Sequence, residues 1–402
     1  MSHPQTRPPL ELADLVRTHG RTFLARHPHV SAQQRRALRD VACCRTRALG
    51  GHVYRCAACG VRHVVYHSCR NRHCPKCQGS AQARWWSREQ AQLLPVEYFH
   101  VVFTLPEAVA GLRLTNRAVL YEALFRCAWE TVREVTADPQ HLGAAVGAVF
   151  VLHTWGQTLT HHPHVHGLVT GGGLAHDAAR SPRWVSCRRG FLVSVKVLSR
   201  VFRGKYLACL RHRHQQGRLR WRDEREPLRE ATAFAAWLRP LYATNWVVYA
   251  KRPCAGPEVV LKYLARYTQR VALSNRRLLA LQEGKVTFAY QDYRHRQRPR
   301  RLTLGVEEFL KRWVQHVLPR GFVKVRHYGL LANRGRAEKL GLCRRLLLAL
   351  GLVVGALLGA TAEPEPQRVC GACGGRVWVK EEELPQPAHA AWPEEGEAFD
   401  SS

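Results

Sequence analysis

Acidic side chains are scarce in this chain. Its 402 residues carry 30 Asp and Glu against 62 Lys and Arg, a formal charge of +32. That imbalance does not dictate a fold. It points to a polyanionic partner, because each phosphate neutralised by a cation releases counterions. An acidic membrane surface would attract the same charge, but the basic residues are mostly Arg, interleaved with Trp and Tyr. That mixture suits phosphate forks and base stacking better. A long hydrophobic run is also missing. The most apolar stretch, Leu346–Ala360, follows Arg344 and Arg345 and is interrupted by Gly351, Gly355 and Gly359. It is short for a bilayer span and reads as a packed C-terminal helix, so no membrane partner is expected. Met1–Leu10 is polar and Pro-rich, without the apolar core of a secretory signal, which leads us to expect a cytoplasmic protein. No internal repeat and no H-E-x-x-H metalloprotease signature occur.

The length allows about two or three domains with a real core. Residues 10–39 have helical periodicity. A Cys/His-rich unit spans 43–77, and 80–94 reads as a linking helix. The β-branched and aromatic run at 96–105, bounded by Pro95 and Pro106, predicts a strand. Helical spacing returns at 116–136 and 191–210. Residues 145–154 and 164–170 read as paired strands. A helix over 258–269 starts after Pro257, whose fixed φ suits a first turn. Residues 285–293 and 301–304 form a basic hairpin, and the Pro/Glu-rich tail after Thr361 reads as disordered. The expected division is a helical and Cys/His-rich domain at 1–94 and a larger domain at 95–280. A basic extension at 281–340 and a terminal segment at 341–402 would follow. The fold class is α+β, with a central antiparallel sheet flanked by helices.

Fourteen cysteines are present, and half of them cluster at 43–77 beside histidines. That clustering favours zinc in a reducing compartment over disulfides. Cys56-Ala-Ala-Cys59 and Cys74-Pro-Lys-Cys77 are paired knuckles of the kind that supply soft ligands to a zinc tetrahedron. Cys44, His52, Cys69 and His73 are further candidates, and the pairing of ligands stays open. A closed site of this kind stabilises a small unit without performing chemistry. Surrounding basic residues, Arg70 and Arg72 among them, suggest that the unit binds DNA. Cys370-Gly-Ala-Cys373 supplies half a site. Cys343 is a candidate third ligand, and a loosely packed pair is the alternative reading.

His162-Pro-His-Val-His166 places His164 and His166 on one face of a strand, since residues two apart point the same way. Two imidazoles side by side can hold a divalent metal. Gln157, set on the neighbouring strand across a turn at 160–163, would add an amide oxygen suited to Mg²⁺ or Mn²⁺. His153, His161 and His162 leave other choices for the third ligand. A zinc hydrolase would need a carboxylate base, and none lies between Gln157 and Gly173. Tyr263 and Tyr267 are four apart, so a helix presents both hydroxyls on one side. Arg266 and Arg270 form a second such pair, suited to phosphate. The phenol needs a nearby cation and a polarised phosphate to act as a nucleophile at neutral pH. The Val259, Val260, Leu261 and Leu264 positions already supply a packing stripe.

Taken together these residues resemble the transposases of insertion-sequence family ninety-one, the two-tyrosine members of the HUH endonuclease superfamily. The resemblance runs through Ser68-Cys-Arg-Asn-Arg-His-Cys-Pro-Lys-Cys77 and His100-Val-Val-Phe-Thr-Leu-Pro106. It continues through Thr154-Trp-Gly-Gln-Thr-Leu-Thr-His-His-Pro-His-Val-His166, Tyr263-Leu-Ala-Arg-Tyr267 and Arg326-His-Tyr-Gly-Leu-Leu-Ala-Asn333. It implies a zinc-binding N-terminal domain and an HUH nuclease domain. It also implies that His164 and His166 hold the catalytic ion, with Tyr263 and Tyr267 as nucleophiles. Such enzymes nick single-stranded DNA at element ends and targets through 5′-phosphotyrosine links, move by a rolling-circle route and can work as homo-oligomers. A rolling-circle replication initiator or mobilisation nuclease would share the chemistry. A zinc-dependent DNA-binding remnant would share only the first domain.

Overall fold

A computed structural model describes residues 8–77, 89, 92–251, 272–292, 298–351, 369–387 and 392. The N-terminal region is two helices, α1 (Leu12–Arg26) and α2 (Ala32–Cys43), where periodicity alone predicts one. Pro28 disfavours a helical residue before it. Ser31 then caps α2, its Oγ accepting from Gln34 N at 3.4 Å while Gln34 Oε1 accepts from Ser31 N at 3.0 Å. A hairpin follows, of β1 (Gly51–Cys56) and β2 (Arg62–Tyr66).

The central sheet begins with β3 (Tyr98–Thr104), after which comes the long helix α3 (Arg113–Ala137). β4 (Gly147–Trp155) and β5 (His161–Thr170) form its middle, and β6 (Gly172–His176) and β7 (Pro182–Ser186) make a small separate hairpin. Helices α4 (Val195–Gln215) and α5 (Ala231–Ala243) lead to β8 (Val248–Lys251). A second sheet is built from β9 (Leu278–Gln282), β10 (Lys285–Asp292) and β11 (Arg298–Gly305), followed by α6 (Val306–Val314). The described chain then continues through β12 (Val325–Gly329), α7 (Arg336–Ala349) and β13 (Trp378–Leu384).

The central sheet has the order β12-β4-β5-β3-β8, and every neighbouring pair is antiparallel. Strand alternation sorts its side chains onto two faces. Phe99, Val101, Phe103, Phe150, Leu152, Val165 and Val169 point to one face and are buried with Tyr121 and Phe125 of α3 and Phe202 and Tyr206 of α4. Phe103 and Phe202 meet with ring centroids 4.9 Å apart. Gly167 belongs to this face. A Cβ there would lie 2.3 Å from Phe150 Cε1, so what the glycine admits is a core aromatic ring. On the other face, Val149, Val151 and Leu168 pack with Leu340, Cys343 and Leu347 of α7. The same face carries the histidines.

Residues 281–340 are not an appendage. β12 is an edge strand of the central sheet. Phe309 and Trp313 of α6 share an apolar core with Leu15 of α1, Leu38 of α2 and Phe288 of β10. The tail after Thr361, expected to be disordered, contains an ordered stretch at 369–387, where β13 pairs antiparallel with β1. Of the apolar run at 346–360, residues 346–349 lie in α7, and those beyond 351 lie outside the described residues. No helix among the described residues is long and apolar enough to cross a membrane.

Candidate functional site

The β4–β5 register builds the histidine cluster. His153 on β4 is the direct cross-strand partner of His164 on β5, while His166 sits opposite Val151. All three imidazoles therefore rise from one face, and one ring nitrogen from each lies within 4.8 Å of the others. His153 and His166 are buried, at 2% and 8% exposure. His164 Nδ1 donates to the His162 carbonyl at 2.7 Å, which fixes the tautomer with its lone pair on Nε2. His166 Nδ1 lies 2.9 Å from Nε2 of His100 on β3, and the two rings stack. Burial pushes His164 down to about 4 and His100 down to about 4, so both are neutral at physiological pH. Neutral imidazoles with their outer nitrogen engaged are the form in which histidine binds a metal. The donor set thus fits a divalent cation.

Gln157 is placed differently from its sequence expectation. β5 starts at His161, so the turn occupies 156–160 and carries Gln157, with Gly156 N donating to Thr160 O at 2.9 Å. The residue is on the turn, not on a neighbouring strand. Its carbonyl accepts from Arg277, while His153 joins His164 and His166 as a third imidazole. His100, the outer partner of His166, was missed. Its sequence signal is its place at the head of the His100–Pro106 motif, and the register that pairs Val102 with His166 puts it on the histidine face. Tyr263, Tyr267, Arg266 and Arg270 lie outside the described residues.

The cysteines divide into two groups. Cys44, which caps α2, meets Cys69, Cys74 and Cys77 from the loop after β2. The Sγ atoms of Cys44 and Cys69 are each 3.6 Å from that of Cys77. A tetrahedron with Zn–S bonds of about 2.3 Å has S···S edges of about 3.8 Å, against about 2.05 Å in a disulfide. This spacing is that of a metal cage. Cys56 and Cys59 belong to a different group, with Cys370 and Cys373. Cys343 is not part of it, being buried in the apolar cluster beneath the central sheet.

The two candidate histidine ligands of the zinc unit stand apart from both groups. His73 Nε2 accepts from Leu318 N at 3.1 Å, and its Nδ1 is 3.0 Å from Asn71 Oδ1. Both nitrogens are engaged, and burial pushes the ring down to about 3. His52 packs edge-on against His67, with ring centroids 4.7 Å apart. Arg72 is turned inward too, donating to the carbonyls of Phe322 and Pro319. Lys76 pairs with Glu11 at 2.6 Å. Arg70 is exposed. The zinc unit is thereby fastened to the segment that leads into β12, and fewer of its cations face solvent than the sequence suggests.

Comparison with known proteins agrees with this arrangement. A family profile described as "Transposase zinc-binding domain" matches residues 15–105, and one described as "Putative transposase" matches 147–339. The "Putative transposase y4qJ" of Sinorhizobium fredii is 48% identical over 337 residues, covering 84% of each chain. The "Transposase for insertion sequence element IS801" of Pseudomonas savastanoi pv. phaseolicola is 30% identical over 307 residues, covering 72% of this chain and 68% of its own. No solved structure matches. With a cysteine cage inside one matched region, a histidine cluster inside the other and relatives matched over most of its length, the chain belongs to the transposases of insertion-sequence family ninety-one.

Proposed function

We propose that this transposase nicks and rejoins single-stranded DNA through covalent 5′-phosphotyrosine links and moves its element by a rolling-circle route. The observation that carries the reading is the three-imidazole cluster on the central strands of an antiparallel sheet. His153, His164 and His166 would hold Mg²⁺ or Mn²⁺. Bound there, the cation supplies Lewis-acid polarisation of the scissile phosphate. His162 O and His100 orient two of the imidazoles, so the site costs little reorganisation.

Tyr263 and Tyr267 are the nucleophiles. A tyrosine Oη forms a bond to phosphorus, and the bond from phosphorus to the 3′ oxygen breaks. The phenol proton is lost and the departing oxygen gains one, leaving a 3′ hydroxyl and a 5′ phosphate joined to the protein. Attack by a 3′ hydroxyl reverses these steps and restores the phosphodiester. Two tyrosines allow a second cut before the first link is resolved. Arg266 and Arg270 would contact the strand, as would Arg70 and the exposed Arg298 and Arg301 of β11. Arg300 is less available, being paired with Asp292 at 3.2 Å. The structural zinc of the N-terminal domain would sit at Cys44, Cys69, Cys74 and Cys77. The protein would act in the cytoplasm, on the nucleoid.

The test is incubation with labelled single-stranded element ends and Mn²⁺, followed by mapping of protein–DNA adducts. Adducts on Tyr263 or Tyr267 are expected. They should vanish in the variant carrying Tyr263→Phe and Tyr267→Phe, and in His164→Ala. An adduct that survives the double tyrosine substitution refutes the assignment.

A further inference from the structure

Cys370 and Cys373 lie outside both matched regions. They nevertheless meet Cys56 and Cys59, more than three hundred positions away, with all four sulfurs within 4.8 Å of one another. Cys56 Sγ is 3.6 Å from Cys373 Sγ, and Cys59 Sγ is 3.7 Å from Cys370 Sγ. These separations again match tetrahedral edges of about 3.8 Å and are far too long for a disulfide.

The two half-sites share one local design. In Cys56-Ala-Ala-Cys59-Gly60, Gly60 is left-handed at φ +74 and its N donates to Cys56 O at 2.9 Å. In Cys370-Gly-Ala-Cys373-Gly374, Gly374 is left-handed at φ +73 and its N donates to Cys370 O at 2.8 Å. Each turn also aims backbone N–H groups at its first sulfur. Those of Cys59 and Ala58 point at the Cys56 sulfur, and those of Cys373 and Ala372 at the Cys370 sulfur. Donors converging on a sulfur stabilise a thiolate, the form that binds metal. Two such turns facing each other make a four-thiolate cage, suited to a tetrahedral soft cation.

The rest of the contact is weak by comparison. β13 pairs with β1, and Glu381 and Glu382 reach Arg55 and Arg62 at 2.5–3.2 Å. Exposed ion pairs of this kind contribute little. A metal shared by both turns would supply a far stronger tie.

We propose that Cys56, Cys59, Cys370 and Cys373 form a second structural zinc site, separate from the one at Cys44, that clamps the 369–387 segment onto the N-terminal hairpin. The clamp holds an acidic strand over Arg55 and Arg62, which withholds two cations of the zinc unit from DNA. This assignment is independent of the nuclease reading.

The experiment is metal counting on the full-length chain by inductively coupled plasma mass spectrometry. The unaltered protein should carry two zinc ions per chain, and Cys370→Ser with Cys373→Ser should halve that. A single zinc in the unaltered protein, iron in its place, or two zinc ions retained in the variant would overturn the proposal. Cobalt substitution of the unaltered chain covers the case of a variant that does not fold. Thiolate-to-cobalt absorption should rise until two equivalents are bound, and saturation at one equivalent refutes the second site.

Discussion

His100 offers a sharp test of how the histidine cluster is held. Its Nε2 lies 2.9 Å from His166 Nδ1, and the two residues are 7% and 8% exposed. Water is therefore a poor substitute for either partner. In His100→Leu the His166 ring loses its outer hydrogen bond. A buried polar group left unmet costs about 1–3 kcal/mol. At about 1.4 kcal/mol per decade, this weakens divalent binding by roughly 5- to 150-fold. Loss of an outer partner of a metal-bound histidine typically costs about 10- to 100-fold, which is the same range. The assay is Mn²⁺ titration followed by electron paramagnetic resonance, with cleavage measured over the same concentrations. The midpoint should rise by at least about fivefold, while cleavage at saturating Mn²⁺ stays near normal, because His100 positions a ligand and does not touch DNA. His100→Gln keeps an acceptor and should recover most of the loss. A midpoint that stays within about twofold in His100→Leu would show that the His100–His166 contact does not orient the site.

Other consequences follow from the same packing. Burial pushes the Lys324 ammonium down to about 7, whereas an unfolded lysine titrates near 10.4. Between those values the unfolded chain binds more protons, so stability rises with pH; the full deficit applies at pH 7 and below. Lys324→Met should stabilise the protein at neutral pH by up to about 3–5 kcal/mol, with the gain shrinking toward pH 10. Urea unfolding of both proteins across this range checks it, and a pH-independent difference contradicts it. Gly167→Ala forces a methyl to 2.3 Å from the fully buried Phe150 ring and should destabilise by about 1–3 kcal/mol, read as a lower urea midpoint. Arg298→Ala and Arg301→Ala should each reduce the slope of log affinity against log salt by about 1 if these exposed side chains meet phosphates. An unchanged slope removes β11 from the DNA surface.

The sequence discloses what is local. The three central strands and α3 were legible because β-branched runs and helical spacing repeat over short windows. His164 and His166 share a face by simple alternation, and each Cys-x-x-Cys pair announces half a cage. What it hides is the pairing between distant segments. The third imidazole depends on where the β4–β5 turn falls. Starting β5 at His161, with an irregularity between His153 and Trp155, sets His153 against His164 and leaves Gln157 on the turn. A one-residue slip would turn a different set of side chains to that face. The partners of Cys56 and Cys59 are hidden for a similar reason. Spacing favours Cys74 and Cys77, while the actual neighbours arrive from a segment whose composition resembles a solvated tail.

His73 shows why a ligand type at a ligand spacing is not enough. It precedes Cys74 directly, yet its Nε2 accepts from Leu318 N and its Nδ1 is satisfied by Asn71. Beside it, Arg72 donates to Pro319 and Phe322. These bonds fasten the cysteine cage to the stretch that feeds β12, the strand flanking β4, which carries His153. The zinc unit is therefore part of the scaffold of the histidine cluster. His73→Leu should retain the zinc bound at Cys44, Cys69, Cys74 and Cys77 but destabilise the fold by about 1–3 kcal/mol, since the Leu318 N–H is left without its acceptor. Zinc content and thermal unfolding, measured on the same sample, separate the alternatives. A loss of metal would make the imidazole a ligand and dissolve the argument that it is a bridge between the two units.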